Sequence, residues 1–153
     1  MSRDEGFSLV ELVLAMVLVS IIAALAAPRY AVAVSRYRVE AAARRVAADL
    51  ALAKSDARTA SASRTVSFDP PTSTYRLVGR SSLDAPAANY VVSLSSAPYY
   101  STLGTVSFGG AGTTSVTFNG YGVPDNAGTI VVRSGNVTRQ ISVDADTGNA
   151  SVR

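Results

Sequence analysis

From Leu12 to Ala27 the chain reads LVLAMVLVSIIAALAA, sixteen residues of which Ser20 alone is polar. With Phe7 and Leu9 included, a helix rising ~1.5 Å per residue over this stretch approaches the thickness of a bilayer's hydrocarbon layer. A buried core helix is the bland alternative. A helix apolar on every side must be surrounded, however, and little of a 153-residue chain is left to do so. The run therefore points to membrane insertion. Ala24-Leu25-Ala26 offers the small-x-small pattern of a cleaved signal peptide. Against that, residues 1–28 set Arg3 against Asp4, Glu5 and Glu11, a net charge of −2, where a signal peptide begins positive. Glu11 also interrupts the apolar stretch, and an unpaired carboxylate in a membrane helix costs at least ~2.5 kcal/mol. A carboxylate kept there implies a partner that is not lipid.

Gly6-Phe7-Ser8-Leu9-Val10-Glu11, followed by the aliphatic run, resembles the prepilin processing site of type IV pilins and type II secretion pseudopilins. The resemblance implies that a membrane-embedded prepilin peptidase cuts between Gly6 and Phe7, and that the new N-terminal amine of Phe7 is methylated. It assigns Glu11, four positions on, to assembly. Each residue suits its role physically. Gly6 leaves the scissile backbone unencumbered. A cut ahead of the apolar segment leaves that segment on the product, first as anchor and then as assembly surface. Beside the cationic amine on Phe7 of a neighbouring subunit, the Glu11 carboxylate gains a charge-assisted partner. Such a pair fixes register between staggered helices, as a lone buried polar group does in coiled coils.

Pro28 either ends this helix or kinks one that continues. Residues 30–60 are rich in Ala, Arg, Val and Leu and hold no Gly or Pro, which favours continuation to about Ala62. Val39, Ala43, Val46, Leu50, Ala53, Ala57 and Ala60 recur at spacings of three and four, an apolar stripe small enough for close approach of a sheet. Tyr30, Val34, Tyr37 and Ala41 form a second, offset stripe. One stripe packs on the chain's own domain and the other on neighbouring subunits. Arg36–Glu40 and Glu40–Arg44 are spaced for i,i+4 pairs worth ~0.3–0.5 kcal/mol each. Residues 29–64 carry a net +5, and the run Arg29, Arg36, Arg38, Arg44, Arg45 invites a nucleic-acid reading. Arg29 suits an interfacial anchor, and the others suit a solvated helix or intersubunit ion pairs.

After Arg64 the period changes from 3.6 to 2, and Val and Thr replace Ala and Leu. Strands are expected at Thr65–Phe68, Thr74–Val78, Asn89–Leu94, Thr105–Phe108, Ser115–Phe118, Thr129–Arg133, Val137–Val143 and Asn149–Val152. The first two flank Asp69-Pro70-Pro71-Thr72-Ser73 as a hairpin, and Gly-rich or Asp-rich turns separate the later ones. Segments 79–89 and 95–104 read as loops and as candidates for partner contact. The expected fold is α+β and pilin-like. A long N-terminal helix, transmembrane in its first half, packs against an antiparallel β-sheet head.

Within the pilin-like proteins, the stretch Val46–Arg58, the Val116-Thr117-Phe118-Asn119-Gly120-Tyr121-Gly122 run and the Thr147-Gly148 ending resemble the GspH/FimT group of minor pseudopilins. Some FimT-like members are associated with DNA capture through basic residues near the C-terminus. The resemblance therefore makes Arg133, Arg139 and Arg153 the candidate nucleic-acid contacts. Arginines often follow the final glycine in that group, whereas here Asn149, Ala150, Ser151 and Val152 precede a single Arg153. Arg139 shares parity with Val137, Ile141 and Val143, which puts it at the rim of the apolar face. Residues 65–153 hold five Arg and five Asp, so the head lacks the basic footprint of a DNA binder.

Asp144-Ala145-Asp146 begins like a calcium loop, and some major pseudopilins hold calcium near the C-terminus. The further ligands and distal Glu of an EF-hand are missing, and a hairpin turn accounts for the residues. Lys54 beside Ser55 is not a catalytic dyad, because adjacent helix positions diverge by about 100°. No Cys or His is present, which removes thiol and imidazole catalysis together with disulfides and Cys zinc sites. No cofactor, metal or enzymatic role is expected.

The organisation read from the sequence is a leader over 1–6, a transmembrane and assembly helix over 7–28, a periplasmic amphipathic helix over 29–63, and a β-rich head over 64–153. The resemblance implies a minor pilin or pseudopilin of a type II secretion pseudopilus or type IV pilus. Its partners would be other pilins, the prepilin peptidase, the inner membrane and the assembly platform, with the head in the periplasm. A DNA-binding pilin acting in transformation is the alternative, and an anchored periplasmic enzyme a remote third.

Overall fold

The computed structural model describes residues 8–82, 88–110 and 112–153. Within these residues one helix, α1 (Leu9–Ala60), is followed by eight strands: β1 (Arg64–Asp69), β2 (Thr74–Ser81), β3 (Asn89–Ser93), β4 (Thr102–Phe108), β5 (Ser115–Phe118), β6 (Gly128–Ser134), β7 (Val137–Val143) and β8 (Ala150–Val152). Pro28 lies inside the helix, so the expected continuation holds. The chain separates into two compact units, the first ending at Val34 and the second spanning Ser35–Arg153.

In the first unit the helix is apolar and uncovered. Large side chains from Leu9 to Ile22 are all more than half exposed. An 18-residue window reaches a mean hydropathy of 2.8 with none of it buried. Ser20, the polar residue of the run, donates its hydroxyl to the Met16 carbonyl at 2.7 Å, which satisfies it within the helix. By length and composition this helix can cross a membrane.

The second unit holds the core. The head is built of two antiparallel four-stranded sheets, ordered β3-β2-β1-β5 and β4-β6-β7-β8. Val39, Ala43, Val46, Leu50, Ala53 and Ala57 of the expected stripe are buried. Ala42 joins them and Ala60 is exposed, because the helix ends there. Four of the buried helix side chains are alanine methyls, so the sheet side chains come close to the helix backbone. Phe68 of β1 stacks on Phe108 of β4 with ring centroids 6.0 Å apart, and its other neighbour, Tyr75 of β2, lies at 5.6 Å. These aromatic contacts join one sheet to the other.

β1, β3, β6 and β8 differ from the sequence expectation by a single residue at one end or both, whereas two strand boundaries differ by three, for one reason. β4 begins at Thr102 rather than Thr105, and β2 runs on to Ser81 rather than Val78. Each carries a register shift, between Leu103 and Val106 in β4 and between Leu77 and Ser81 in β2. A bulge resets alternation, so a two-residue period cannot be followed across it. Residues 79–81 and 102–104 are therefore strand, not loop.

Candidate functional site

Gly6 and Phe7 lie outside the described residues. Glu11 occupies the first turn of α1 and is exposed. Its amide donates to the Ser8 hydroxyl at 3.2 Å, and the Leu12 amide donates to the Ser8 carbonyl at 3.1 Å. Ser8 is thus the N-cap, and Ser8-Leu9-Val10-Glu11 has the Ser-x-x-Glu spacing of a capping box. The amides of a first turn also favour a carboxylate beside them. The sequence contained this signal, and the processing motif masked it.

Three carboxylates tie the helix to the sheets. Asp49 is 5% exposed. Its carboxylate accepts from the Tyr75 hydroxyl at 2.6 Å, the Tyr90 hydroxyl at 2.9 Å and Arg45 Nε at 3.0 Å. A second Arg45 nitrogen donates to the Tyr90 hydroxyl at 2.6 Å, which closes the network. Burial, reinforced by the Asp49 carboxylate, pushes the Tyr75 phenol far above its usual range, and burial with the bond to Asp49 raises that of Tyr90. Asp56 pairs with Arg80 of β2 nearby on the helix.

Glu40 accepts from Arg139 Nε and from Arg44 Nε, both at 2.9 Å. Arg139, and then Arg44, hold its carboxyl below the usual glutamate range. Of the two expected helical pairs, Glu40–Arg44 forms. Arg36–Glu40 does not, because the second oxygen of Glu40 goes to Arg139 on the sheet.

The three candidate nucleic-acid residues do not converge. Arg139 lies at the rim of the helix-facing side, as its parity predicts, and its guanidinium is engaged by Glu40. Arg133 pairs with Thr138 across β6 and β7, and Arg153 exchanges both backbone bonds with Gln140. Thr138 and Gln140 are two apart on one strand, so Arg133 and Arg153 share the opposite, exposed face. At the Asp144 turn, Oδ1 accepts from the Thr147 hydroxyl at 2.7 Å, the Thr147 amide at 2.8 Å and the Asp146 amide at 3.2 Å. The Thr147 bonds lower the Asp144 pKa. This oxygen serves the turn. Lys54 Nζ donates to the Asn149 side-chain carbonyl at 2.7 Å.

Residues 42–147 match the family model of the type II transport protein GspH, and residues 1–27 match the prokaryotic N-terminal methylation motif. Among solved structures, the type IV minor pilin FimU of Pseudomonas aeruginosa is similar in fold. It aligns with a TM-score of 0.58 over 77% of this chain and 90% of that chain, at 16% identity. No curated protein matches the chain.

Proposed function

The chain belongs to the family of the type II transport protein GspH, and from that membership we propose that it is a minor pilin subunit matured at Gly6–Phe7 and built into a periplasmic filament. The observation that carries this reading is a methylation motif running straight into an uncovered apolar helix. Residues 1–6 are the leader that the peptidase removes, and Phe7 becomes the methylated first residue. The 7–28 segment anchors the subunit in the inner membrane and later joins the filament core. Residues 29–63 and 64–153 lie in the periplasm as the amphipathic helix and the β-rich head. Glu11 pairs with the amine of Phe7 on a neighbouring subunit, which repays the cost of a carboxylate in an apolar surround. The assembly platform draws the subunit from the membrane into a secretion pseudopilus or a type IV pilus. Its role is assembly and recognition, with no chemistry of its own.

Intact-mass analysis of protein isolated from membranes tests the reading. The expected mass begins at Phe7 and carries one added methyl. A mature protein beginning at Ala27 refutes it.

A second reading has one observation in its favour. Arg133 and Arg153 share an exposed face with Thr138 and Gln140, and none of these four is acidic. Two phosphate contacts there would give double-stranded DNA affinity with a log–log salt slope of about −2. Titration of the protein with duplex DNA at several salt concentrations separates the readings. Micromolar binding with that slope, lost in Arg133→Ala, establishes the DNA-receptor role.

A further inference from the structure

Among the described residues β8 ends its sheet, with β7 on one side only. Arg153 exchanges both backbone bonds with Gln140, and the Asn149 carbonyl accepts from the Asp144 amide. Backbone alternation then turns the N–H and C=O groups of Ala150 and Val152 away from β7. No hydrogen bond to those groups is found among the described residues. Two residues spaced i,i+2 with outward backbone groups are a template for an added strand.

Beside this edge lies a cleft of ≈ 530 Å³, lined by Ala51, Lys54, Ser55, Arg58 and Thr59 on the helix and by Gly148, Asn149 and Ala150 at the edge. The lining includes two cations and no carboxylate. Both cations are held in place. Lys54 is bonded to Asn149, and the turn at Gly122 rests on both stems: a Cβ on Gly122 would come within 2.8 Å of Arg58 Cδ and 3.1 Å of Lys54 Cγ. The Arg58 guanidinium has no hydrogen-bond partner among the described residues. It is a positioned cation beside an unfilled strand edge.

We propose that β8 and the Lys54–Arg58 wall form a strand-docking groove for an extended, acidic segment of another pilin subunit. The incoming backbone extends the β4-β6-β7-β8 sheet through Ala150 and Val152. A carboxylate on the side chain nearest the helix meets Arg58 and Lys54. Small residues at Ala51, Gly148 and Ala150 leave room for that side chain. The identity of the occupant rests on the reading that this chain assembles with other pilins, whereas the groove itself does not.

The test uses the full chain in dodecylmaltoside micelles. The probe is a labelled nine-residue peptide of alternating Thr and Val with two Glu on one face, and its Gln counterpart is the control. The Glu peptide is expected to bind, to weaken with salt, and to slow amide exchange at Ala150 and Val152. Arg58→Ala, an exposed position outside the core, is expected to lower its affinity roughly tenfold or more. Equal binding of the Gln peptide, binding without slowed exchange at Ala150 and Val152, or no binding at all overturns the proposal. So does self-association without peptide that Arg58→Ala abolishes, because the occupant would then be a second copy. The peptide is added in trans, so a negative result leaves a Phe7 mass unaffected. A mature mass starting elsewhere leaves the binding measurable.

Discussion

Replacing Asp49 tests what joins the helix to the β2–β3 edge of its sheet. The carboxylate receives three donors, at 2.6, 2.9 and 3.0 Å. Asp49→Ala leaves them in unequal positions. The Arg45 side chain is 40% exposed and rehydrates, so its lost pair is worth under ~1 kcal/mol. Tyr90 keeps its bond from Arg45, which limits its loss to about 1 kcal/mol. The Tyr75 hydroxyl is orphaned in a residue only 1% exposed, at ~1–3 kcal/mol. The sum is about 3 kcal/mol, in the range for breaking a buried charged network from one side. Asp49→Asn keeps the shape and one acceptor and costs less, ~1.5–3 kcal/mol. Tyr75→Phe costs least, ~1–1.5 kcal/mol, because two donors still serve the carboxylate. Urea unfolding in micelles, followed by near-ultraviolet dichroism of the seven tyrosines, reads this out. At a slope of ~1.5–2 kcal/mol per molar, Asp49→Ala moves the midpoint down by roughly 1.5–2 M. The double mutant with Tyr75→Phe should be less destabilised than the sum of the singles by ~1–2 kcal/mol. A midpoint within ~0.3 M of the parent, or strict additivity in the cycle, refutes the network's role.

Four further outcomes are expected. Glu40→Gln lowers stability by at most ~1 kcal/mol, because the site is partly exposed, and the loss shrinks in high salt, measured by the same urea titration. The depressed Glu40 pKa contributes stability that is present above the ordinary glutamate value and is lost as pH falls through the lowered one. At the alkaline end the raised Tyr75 and Tyr90 values reverse the sign: their contribution is intact below the ordinary tyrosine value of 10.0 and declines above it, which a pH series of midpoints detects. Gly128→Ala places a methyl 2.1 Å from Cδ1 of the buried Phe108, so it should destabilise the head by ~1–3 kcal/mol although the backbone there is ordinary. Glu11→Ala should give a mature mass starting at Phe7 yet be missing from sheared filaments; normal incorporation rejects the pairing with the Phe7 amine.

What the sequence disclosed follows from the range of each interaction. The helix stripe and the limits of β5 and β7 are local patterns, readable at a period of 3.6 or 2. The Arg139–Glu40 pair joins residues 99 apart, and no spacing rule selects it over Arg36 four positions away. Parity did place Arg139 at the rim, and the structure supplies the acid found there. Asp49 was partly legible. It follows Val46 by three and precedes Ala53 by four, so it falls on the apolar stripe, where a carboxylate needs donors. Those donors, Tyr75 and Tyr90, sit on different strands, and sequence order alone does not name them.

The distribution of charge carries a consequence for assembly. Within 29–64, Arg44 and Arg45 are consumed by Glu40 and Asp49, Lys54 is bonded to Asn149, and Arg38 lies over the Tyr100 ring at 4.7 Å. The acids of this stretch are fully committed too, since Asp56 goes to Arg80. Because Glu40 reaches the sheet, it is taken from Arg36, and Arg36 and Arg58 are left with no acid pair among the described residues. Both are exposed on the helix, facing whatever assembles with it. An exposed arginine is cheap in water and gains most from a carboxylate when a partner excludes that water. Two of the net positive charges of this stretch therefore stand at exposed helix positions where other subunits would supply the complement, and partners of this chain should present acidic residues there. Charge reversal at Arg36 should impair incorporation while leaving the urea midpoint of the isolated subunit unchanged. A midpoint shift of more than ~0.3 M in that variant would mean that Arg36 serves the fold instead.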